Sequence, residues 1–580
     1  MVQVLNDIRM LVQQALIEVC GPEYSSFDPV VRFAADSRFG DVQINCAMQL
    51  AKTFGKAPRE IAEKIAQALP QNSIIVKTEI AGPGFINITL ADAYIGTCIS
   101  AMLNDSRCGI PESQKHDIIA IDYSAPNVAK EMRIGHLRST IIGDALVRIL
   151  EFLGHTVLKR NHLGDWGTQF GMLIENLVDT SWDLASDHQI SDLNALYQEA
   201  KQRFDTDPAF AERARKRVVL LQSGDETTLK LWRALIEESK RHFAEIYHML
   251  DVTLEESDYY PESFYNDMLP GIVQELLGKG IAVMSNGAVC VFIDEITGKN
   301  KEPVPLIVQK SDGGFGYDTT DLAAIRHRIL DLHASRLLYV VGAPQAQHFA
   351  MIFAAAKKAG WLQEPVRAEH VAFGSILGED GKPFKTRSGE SVKLYDVLTE
   401  AINRAFAIVH EKAKDIPLDE QKKIAQAIGI GAVKYADLSN DRVKDYVFNW
   451  DRMLSFDGNT APYLQNAYVR IKSIFRKAGL DESTFTALVD TFAVPEERQL
   501  ALELLKAGDY LHQVERSLEP HRLCGYLYNL ASLFHAFYEK CPVLTAAPHD
   551  KQRRLALAKG TAQVLELCMG LLGIHVIDRM

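Results

Sequence analysis

Apolar residues recur along this chain in two rhythms. In 131–155, EMRIGHLRSTIIGDALVRILEFLGH, residues Leu137, Ile141, Ala145, Ile149 and Leu153 fall four apart, with Ile142, Leu146 and Leu150 beside them. That spacing lays one apolar stripe along a helix and predicts a stop at Gly154. On either side lie short apolar runs without helical spacing, DIIAIDYS at 117–124 and TVLKR at 156–160. A strand, a helix and a returning strand over this length predict a parallel sheet. Further strands are expected at AVCVFID (288–294), at HVAFGSI (370–376), and at the start of RLLYVVGAPQAQHFAMIFAAAKKAG (336–360), which continues as a helix.

The flanks carry other patterns. Helices are expected around 5–19, 40–55 and 58–69, and SIIVKTEIAGPGFINITL (73–90) reads as strand, turn, strand. NDSRCGIPESQ (104–114) reads as a linker. Residues from about 176 to 255 are charge-rich and helical, an insertion whose charges are expected to face water. From about 396 onward the pattern is almost wholly helical. The predicted class is α/β, a doubly wound parallel-sheet core between a small α+β N-terminal unit and an all-α C-terminal one.

Composition narrows the function. A net charge of −12 argues against broad coating of nucleic acid, DNA included, while leaving room for one RNA on a local basic face. The eight cysteines form no CxxC pair, so no zinc site is suggested and reduced thiols are expected. The N-terminal stretch reads as an amphipathic helix rather than a signal peptide, and no apolar run suits a membrane span. A cytoplasmic location is the expectation.

Four stretches carry candidate chemistry. Lys130, Arg133, Gly135, His136 and Arg138 crowd the start of the 131–155 helix, where the helix dipole already favours anions. Either this is a basic surface turn or a phosphate sits there, with Gly135 open to close approach and His136 donating. Lys382, Lys385 and Arg387 in GKPFKTRSG (381–389) follow a strand end and could clamp the same polyphosphate. In GYDTTDLAAIRHRIL (316–330), Asp318 and Asp321 have capping-box spacing, yet Tyr317 and Asp321 could also face one ligand, with Asp321 taking a guanidinium. NHLGDWGTQFGMLI (161–174) sets His162, Asp165, Trp166 and Gln169 among glycines at the ligand edge of the sheet. A fifth stretch, 459–477, interleaves Arg470, Lys472, Arg476 and Lys477 with Tyr463 and Tyr468, either a solvated face or an RNA contact. There is no Walker A motif, and GIGAVK (429–434) fits helix packing better than a dinucleotide fingerprint.

Taken together, SAPNVAKEMRIGHLRSTIIGD, HLGDWGTQFGMLI, YDTTDLAA, YVVGAPQAQHF and DGNTAPYLQNAYVRI resemble the arginyl-tRNA synthetases of class I, in that family's order across residues 40–580. The resemblance implies a Rossmann-type catalytic domain at 113–395, an N-terminal domain at 1–112 that contacts the tRNA elbow, and a helical anticodon-binding domain at 396–580. It implies an ATP-dependent ligase that activates L-arginine and transfers it to the 3′-terminal ribose of tRNA(Arg), with Mg2+ accompanying ATP. No structural metal and a monomeric state are expected. By the same resemblance Asn127, Tyr317, Asp321, Gln345 and Glu262 match arginine-binding positions, and Asp122 lies near the substrate. Gly135 and His136 match the ATP signature, and Phe85 and Asn87 match contacts to the tRNA D-loop. Tyr463 and Arg470 are the expected tRNA contacts of the C-terminal domain.

The chain departs from the family pattern twice. Arg133 stands where the first signature histidine is usual, and KPFKTRSG stands where class I enzymes carry Lys-Met-Ser-Lys-Ser. In family members with a degenerate second signature, a lysine just before the first one compensates, and Lys130 holds that place. Lys130 is therefore expected to support the phosphates together with Lys385. The rival readings are a class I synthetase for another amino acid, a catalytically silent RNA-binding relative, and a nucleotidyltransferase or oxidoreductase sharing the sheet.

Overall fold

The computed structural model describes residues 4–180, 190–297, 303–384 and 392–580. At its centre lies a four-stranded parallel sheet in the order Arg367–His370, Arg336–Tyr339, Ile118–Asp122, Thr156–Arg160. Side chains alternate across it, as a period of two requires. Ile119, Ile121 and Leu338 enter one apolar core with the helix Ile134–Phe152. Ala120, Leu337 and Tyr339 enter a second core with the helices Tyr317–Leu330 and Ala346–Lys358. Burial on both faces is why these strands read as apolar runs rather than as alternating patterns.

The expected strands at 117–124, 156–160 and 336 onward are all in this sheet, but two others are not where the pattern put them. AVCVFID lies in Ala288–Thr297, the middle strand of a separate antiparallel sheet with Ala282–Ser285 and Pro303–Gln309. In HVAFGSI, the regular ladder of the parallel sheet ends at His370, Phe373 makes a single parallel bridge to Gly342, and Ile376–Leu377 pairs with Tyr446–Val447. Between them Gly374 passes so close to the C-terminal unit that a Cβ would lie 2.7 Å from the Lys444 carbonyl carbon. The chain bends there to meet that unit instead of extending the sheet.

In the N-terminal unit the antiparallel sheet runs Val31–Phe33, Val42–Ile44, Phe85–Leu90, Ile75–Ala81. The expected helix at 40–55 is only Ala47–Phe54, because Val42 and Ile44, fully buried, alternate with Gln43 and pair as a strand with Phe85–Leu90. The insertion comprises the helices Ile190–Thr206, Pro208–Gln222 and Glu226–Met249, packed on Thr168–Asp179. Its charges do not all face water. Glu175, 5% exposed, accepts from Arg213 and Arg217 at 2.8 and 2.9 Å. The C-terminal unit is helical as expected, and a Cβ on Gly429 would meet the Ala401 carbonyl oxygen at 2.7 Å, which confirms GIGAVK as close helix packing.

One guanidinium fastens the first unit to the last. Arg498 gives two bonds to Asp41 (2.8 and 2.7 Å), one to Asp92 (2.8 Å) and one to the Leu90 carbonyl (3.0 Å). Asp41 in turn accepts from the Leu90 amide, so the clamp grips the end of the strand Phe85–Leu90. Arg498→Ala is expected to loosen the N-terminal unit by about 2 kcal/mol, the worth of charge-assisted bonds to a carboxylate left partly exposed. Hydrogen exchange should rise across 85–103 and stay unchanged in the parallel sheet.

Candidate active site

The loops leaving the carboxyl ends of the central strands interlock. Val128 N–H donates to the Gly164 carbonyl at 3.0 Å, and Gly164 N–H donates to that of Pro126 at 3.2 Å. A Cβ at position 164 would lie 2.2 Å from Asn127 Oδ1 and would displace that side chain. Ser124, Ala125 and Ala129 take left-handed φ values of 70°, 45° and 61°. Such backbone costs about 1 kcal/mol or more per residue and persists only where neighbours hold it. Here they do. The amides of these three residues donate to Ser139 Oγ, Asn161 Oδ1 and Ser239 Oγ respectively.

On one side of this junction is a cationic cavity of about 240 Å³, lined by Asn127, Lys130, Glu131, Arg133, His136, Tyr197 and Gln198. Gly135 is exposed, with nothing within 4 Å of the position a Cβ would take. The Arg133 amide donates to His136 Nδ1 at 2.9 Å. That bond places the imidazole proton on Nε2, the donor needed toward an anion. Burial lowers the His136 pKa, and the Arg133 and Lys130 charges act in the same sense, so the ring is neutral at pH 7. Lys130 rests its ammonium 4.4 Å from the ring centre of Tyr197. Lys382 is exposed in the turn 378–382. Lys385 and Arg387 lie outside the described residues, but the chain re-enters beside the site. The Ile134 amide donates to the Val392 carbonyl, and the Leu394 amide donates to that of Met132.

On the other side is an acidic pocket. Glu262, whose amide donates to the Leu163 carbonyl, is pushed up to about pKa 8 by burial and by the charges of Asp165 and Asp321. Asp165 accepts from the Ser263 amide at 2.9 Å and its hydroxyl at 2.5 Å, and burial raises it to about 6. Asp321 Oδ2 lies 2.6 Å from His348 Nε2, while Oδ1 lies 3.9 Å from His162 Nε2. The helix bearing Asp321 begins at Tyr317 with Gly316 as N-cap and no side-chain cap. The capping account of Asp318 and Asp321 is thus set aside. Tyr317, 61% exposed, and Gln345, also exposed, stand at the mouth. Asp122 is not open to a ligand, because its Oδ2 accepts from buried Arg328 at 2.6 Å.

The expected RNA-facing residues part company. Tyr463, Tyr528 and His535 pack ring against ring, and Arg470 lies 3.2 Å from His535 Nδ1 and over the Tyr538 ring. Arg470, Ser473, Lys477 and Tyr538 also line a cavity of about 660 Å³. Lys472 is held by Glu482 at 2.9 Å, and Arg476 donates to the Asp578 carbonyl at 3.0 Å. In the N-terminal unit Phe85 is half-buried at the strand start, whereas Asn87, 5% exposed, accepts from Gln43 at 2.9 Å inside the sheet. Sequence reasoning missed Tyr197, Gln198, Ser263 and the bonding role of His348. Of these only His348 left a signal, being the one titratable residue in APQAQHF.

A parallel sheet whose strand ends join a signature-helix start to an acidic pocket, between an α+β unit and a helical one, is the architecture of a class I aminoacyl-tRNA synthetase. The family model for the class I (R) tRNA synthetase catalytic domain matches residues 98–450, that for the DALR anticodon binding domain 464–580, and that for the arginyl tRNA synthetase N-terminal domain 6–90. The arginine–tRNA ligases of Thermobifida fusca and Frankia casuarinae are 51% and 52% identical, over 98% and 99% of this chain and 98% of each relative. The crystal structure of arginyl-tRNA synthetase from Plasmodium falciparum superposes with a TM-score of 0.83 at 31% identity, over 100% of this chain and 99% of that one. The chain belongs to the arginyl-tRNA synthetase family.

The charge state of the acidic pocket gives a direct test. With a pKa of about 8, above the ordinary carboxyl range, Glu262 is protonated at pH 7. A guanidinium docked against it favours the ionised form and lowers that pKa. If the pocket takes the arginine side chain, binding at about pH 7 should release protons, and the release should vanish above about pH 9. Calorimetry in buffers of different ionisation enthalpy measures it, and Glu262→Gln should release none.

Proposed function

We propose that this arginine–tRNA ligase divides its reaction between the two ends of one cleft. The observation that carries the division is the lock between Asn127 and Gly164. It sets the cationic cavity and the Glu262–Asp321 pocket on neighbouring loops of one sheet edge. Arginine enters with its guanidinium between Glu262 and Asp321, whose planar carboxylates suit a forked donor better than a lysine ammonium. Tyr317 and Gln345 flank the side chain. Asn127 takes the amino-acid end, where the α-carboxylate meets ATP.

No general base is needed, because the attacking group is an already ionised carboxylate. It attacks the α-phosphorus, the bond from that phosphorus to the α,β-bridging oxygen breaks, and pyrophosphate leaves. A terminal ribose hydroxyl of tRNA then attacks the acyl carbon and AMP leaves. Alignment and charge stabilisation supply the catalysis. His136 Nε2–H, Lys130, Arg133 and the open backbone at Gly135 bind the phosphates, with Lys382, Lys385 and Arg387 as further cationic partners. Among the described residues no group of three His, Cys, Asp or Glu could hold a metal ion. Mg2+ would accompany the phosphates of ATP as part of the substrate. Loss of Lys130 (Lys130→Ala) should lower kcat about 100-fold, the usual worth of one charge-stabilising donor.

The working domain assignment is 1–112 for the tRNA elbow, 113–395 for catalysis with the insertion at about 176–255, and 396–580 for the anticodon. Phe85 stacks on the elbow while Asn87 braces the strand beneath it. Tyr463 and Arg470 meet the anticodon arm. Among the described residues no helix is long and apolar enough to cross a membrane. A cytoplasmic monomer that binds neither DNA nor membrane is the consistent setting.

ATP–pyrophosphate exchange with each amino acid, with and without total tRNA, tests the reading. Exchange should occur with arginine alone and only when tRNA is present. Exchange with another amino acid would refute the pocket assignment. Asp321→Asn should cut kcat/KM for arginine about 100-fold while leaving the KM for ATP unchanged. Tyr463→Ala and Arg470→Ala should each raise the KM for tRNA by about tenfold, with the KM for arginine unaltered.

A further inference from the structure

His348 stands one helix away from the carboxylate it touches, and both its ring nitrogens are engaged. Nε2 lies 2.6 Å from Asp321 Oδ2 and Nδ1 lies 3.2 Å from Asp318 Oδ1. A carboxylate only accepts, so both nitrogens must donate and the ring is an imidazolium. Its ring also packs against Tyr317 at 5.0 Å and Phe349 at 5.2 Å, which fixes its plane. Asp321 is thereby left with Oδ2 occupied and Oδ1 turned toward His162, 3.9 Å away, while its charge is felt at Glu262.

We propose that His348 is a positioning residue for arginine recognition: anchored by Asp318, it holds the Asp321 carboxylate in one orientation and presents Oδ1 to the incoming guanidinium. The proposal rests on the assignment of Asp321 to the arginine pocket. Asp318, three residues before Asp321 on the same helix, does not itself need to touch substrate. Its part is to complete the line Asp318–His348–Asp321. The imidazolium also offsets one negative charge where Asp165, Glu262, Asp318 and Asp321 gather. Without it the pocket would hold a like-charge cluster that any cation could satisfy. With it, the remaining acceptors call for one planar donor.

The titratable groups facing His348 are Asp318 and Asp321 on the helix Tyr317–Leu330, Tyr317 at that helix's start, His162 on the loop after Thr156–Arg160, and His370 on the strand Arg367–His370. Burial alone would lower the His348 pKa, and the two carboxylate bonds outweigh it and hold it at about 9. The neighbouring His370 is pushed down, first by burial and in part by the His348 charge.

His348→Gln keeps size and one donor but loses the charge and the second bond. It should raise the KM for arginine about tenfold. The kcat, the KM for ATP and the melting temperature should stay near those of the parent. Asp318→Asn should give the same change, and the double variant should be no worse than either single one, because both cut one line. Nitrogen NMR of histidine-labelled protein at about pH 8 should show one imidazolium signal that disappears in His348→Gln. If Asp321→Asn spoils arginine use while His348→Gln and Asp318→Asn leave its KM unchanged, the positioning role is wrong and the pocket stands. If Asp321→Asn itself leaves arginine use intact, the pocket assignment fails first. Additive effects of His348→Gln and Asp318→Asn, or a neutral ring at that pH, would also overturn the proposal.

Discussion

The fold hangs on where the helix Ile134–Phe152 is held, and one buried ion pair holds it. Arg138 Nε lies 3.1 Å from Asp437 Oδ2, with side-chain exposures of 1% and 0%. Arg138 also donates to the Lys444 carbonyl and sits over the rings of Phe373 and Tyr446. A buried pair adds little net stability once its desolvation is counted, but losing one partner strands a charge at a cost of about 3–5 kcal/mol. Its effect is on placement. The helix that opens the phosphate cavity is pinned, one turn in, to the helix Leu418–Leu438 of the C-terminal unit. Farther along, Asp144 accepts from Thr253 and Arg148 reaches Asp251, so the same helix also fixes the end of the insertion. Signature helix, insertion and C-terminal unit share one mechanical reference.

The second constraint is the separation of charge along the cleft. A cavity lined by cations and a pocket lined by carboxylates would attract each other if nothing kept them apart. The Asn127–Gly164 lock does this with main-chain bonds, which carry no net charge. Each end also limits its own excess. His136 is kept neutral among cations, and Glu262 is kept protonated among carboxylates. Arginine, with an anionic head and a cationic tail, is the complement of such a cleft.

What the sequence made legible follows from range. The helical stripe from Leu137 to Leu153 and the strands beside it are set by local periodicity, and they were readable. Asp321 and Glu262 were singled out through family strings, but the bonds around them were not legible. His348 is 27 residues from Asp321, so no local pattern links them. Tyr197 reaches Lys130 from an insertion whose charge pattern reads as solvent-facing. The partner of Asp122 was hidden for the same reason, since only the tertiary fold brings Arg328, 206 residues on, to its carboxylate at the strand end. Val42–Ile44 was absorbed into a helix because a three-residue strand carries less pattern than the helix that follows it.

Arg133 shows how a signature can lose a side chain and keep its structure. At that position the fold uses the main chain. The Arg133 amide sets the His136 tautomer, the Arg133 carbonyl accepts from the His136 amide at 2.8 Å, and the backbone bridges antiparallel to Lys393. Any L-residue with extended φ and ψ can supply these, and Arg133, at −102° and 163°, does. Its side chain lines the cationic cavity. A guanidinium reaches farther than an imidazole and carries its charge at every working pH. On the proposed reading, that permanent charge and the basic residues of 381–389 would serve the same phosphates.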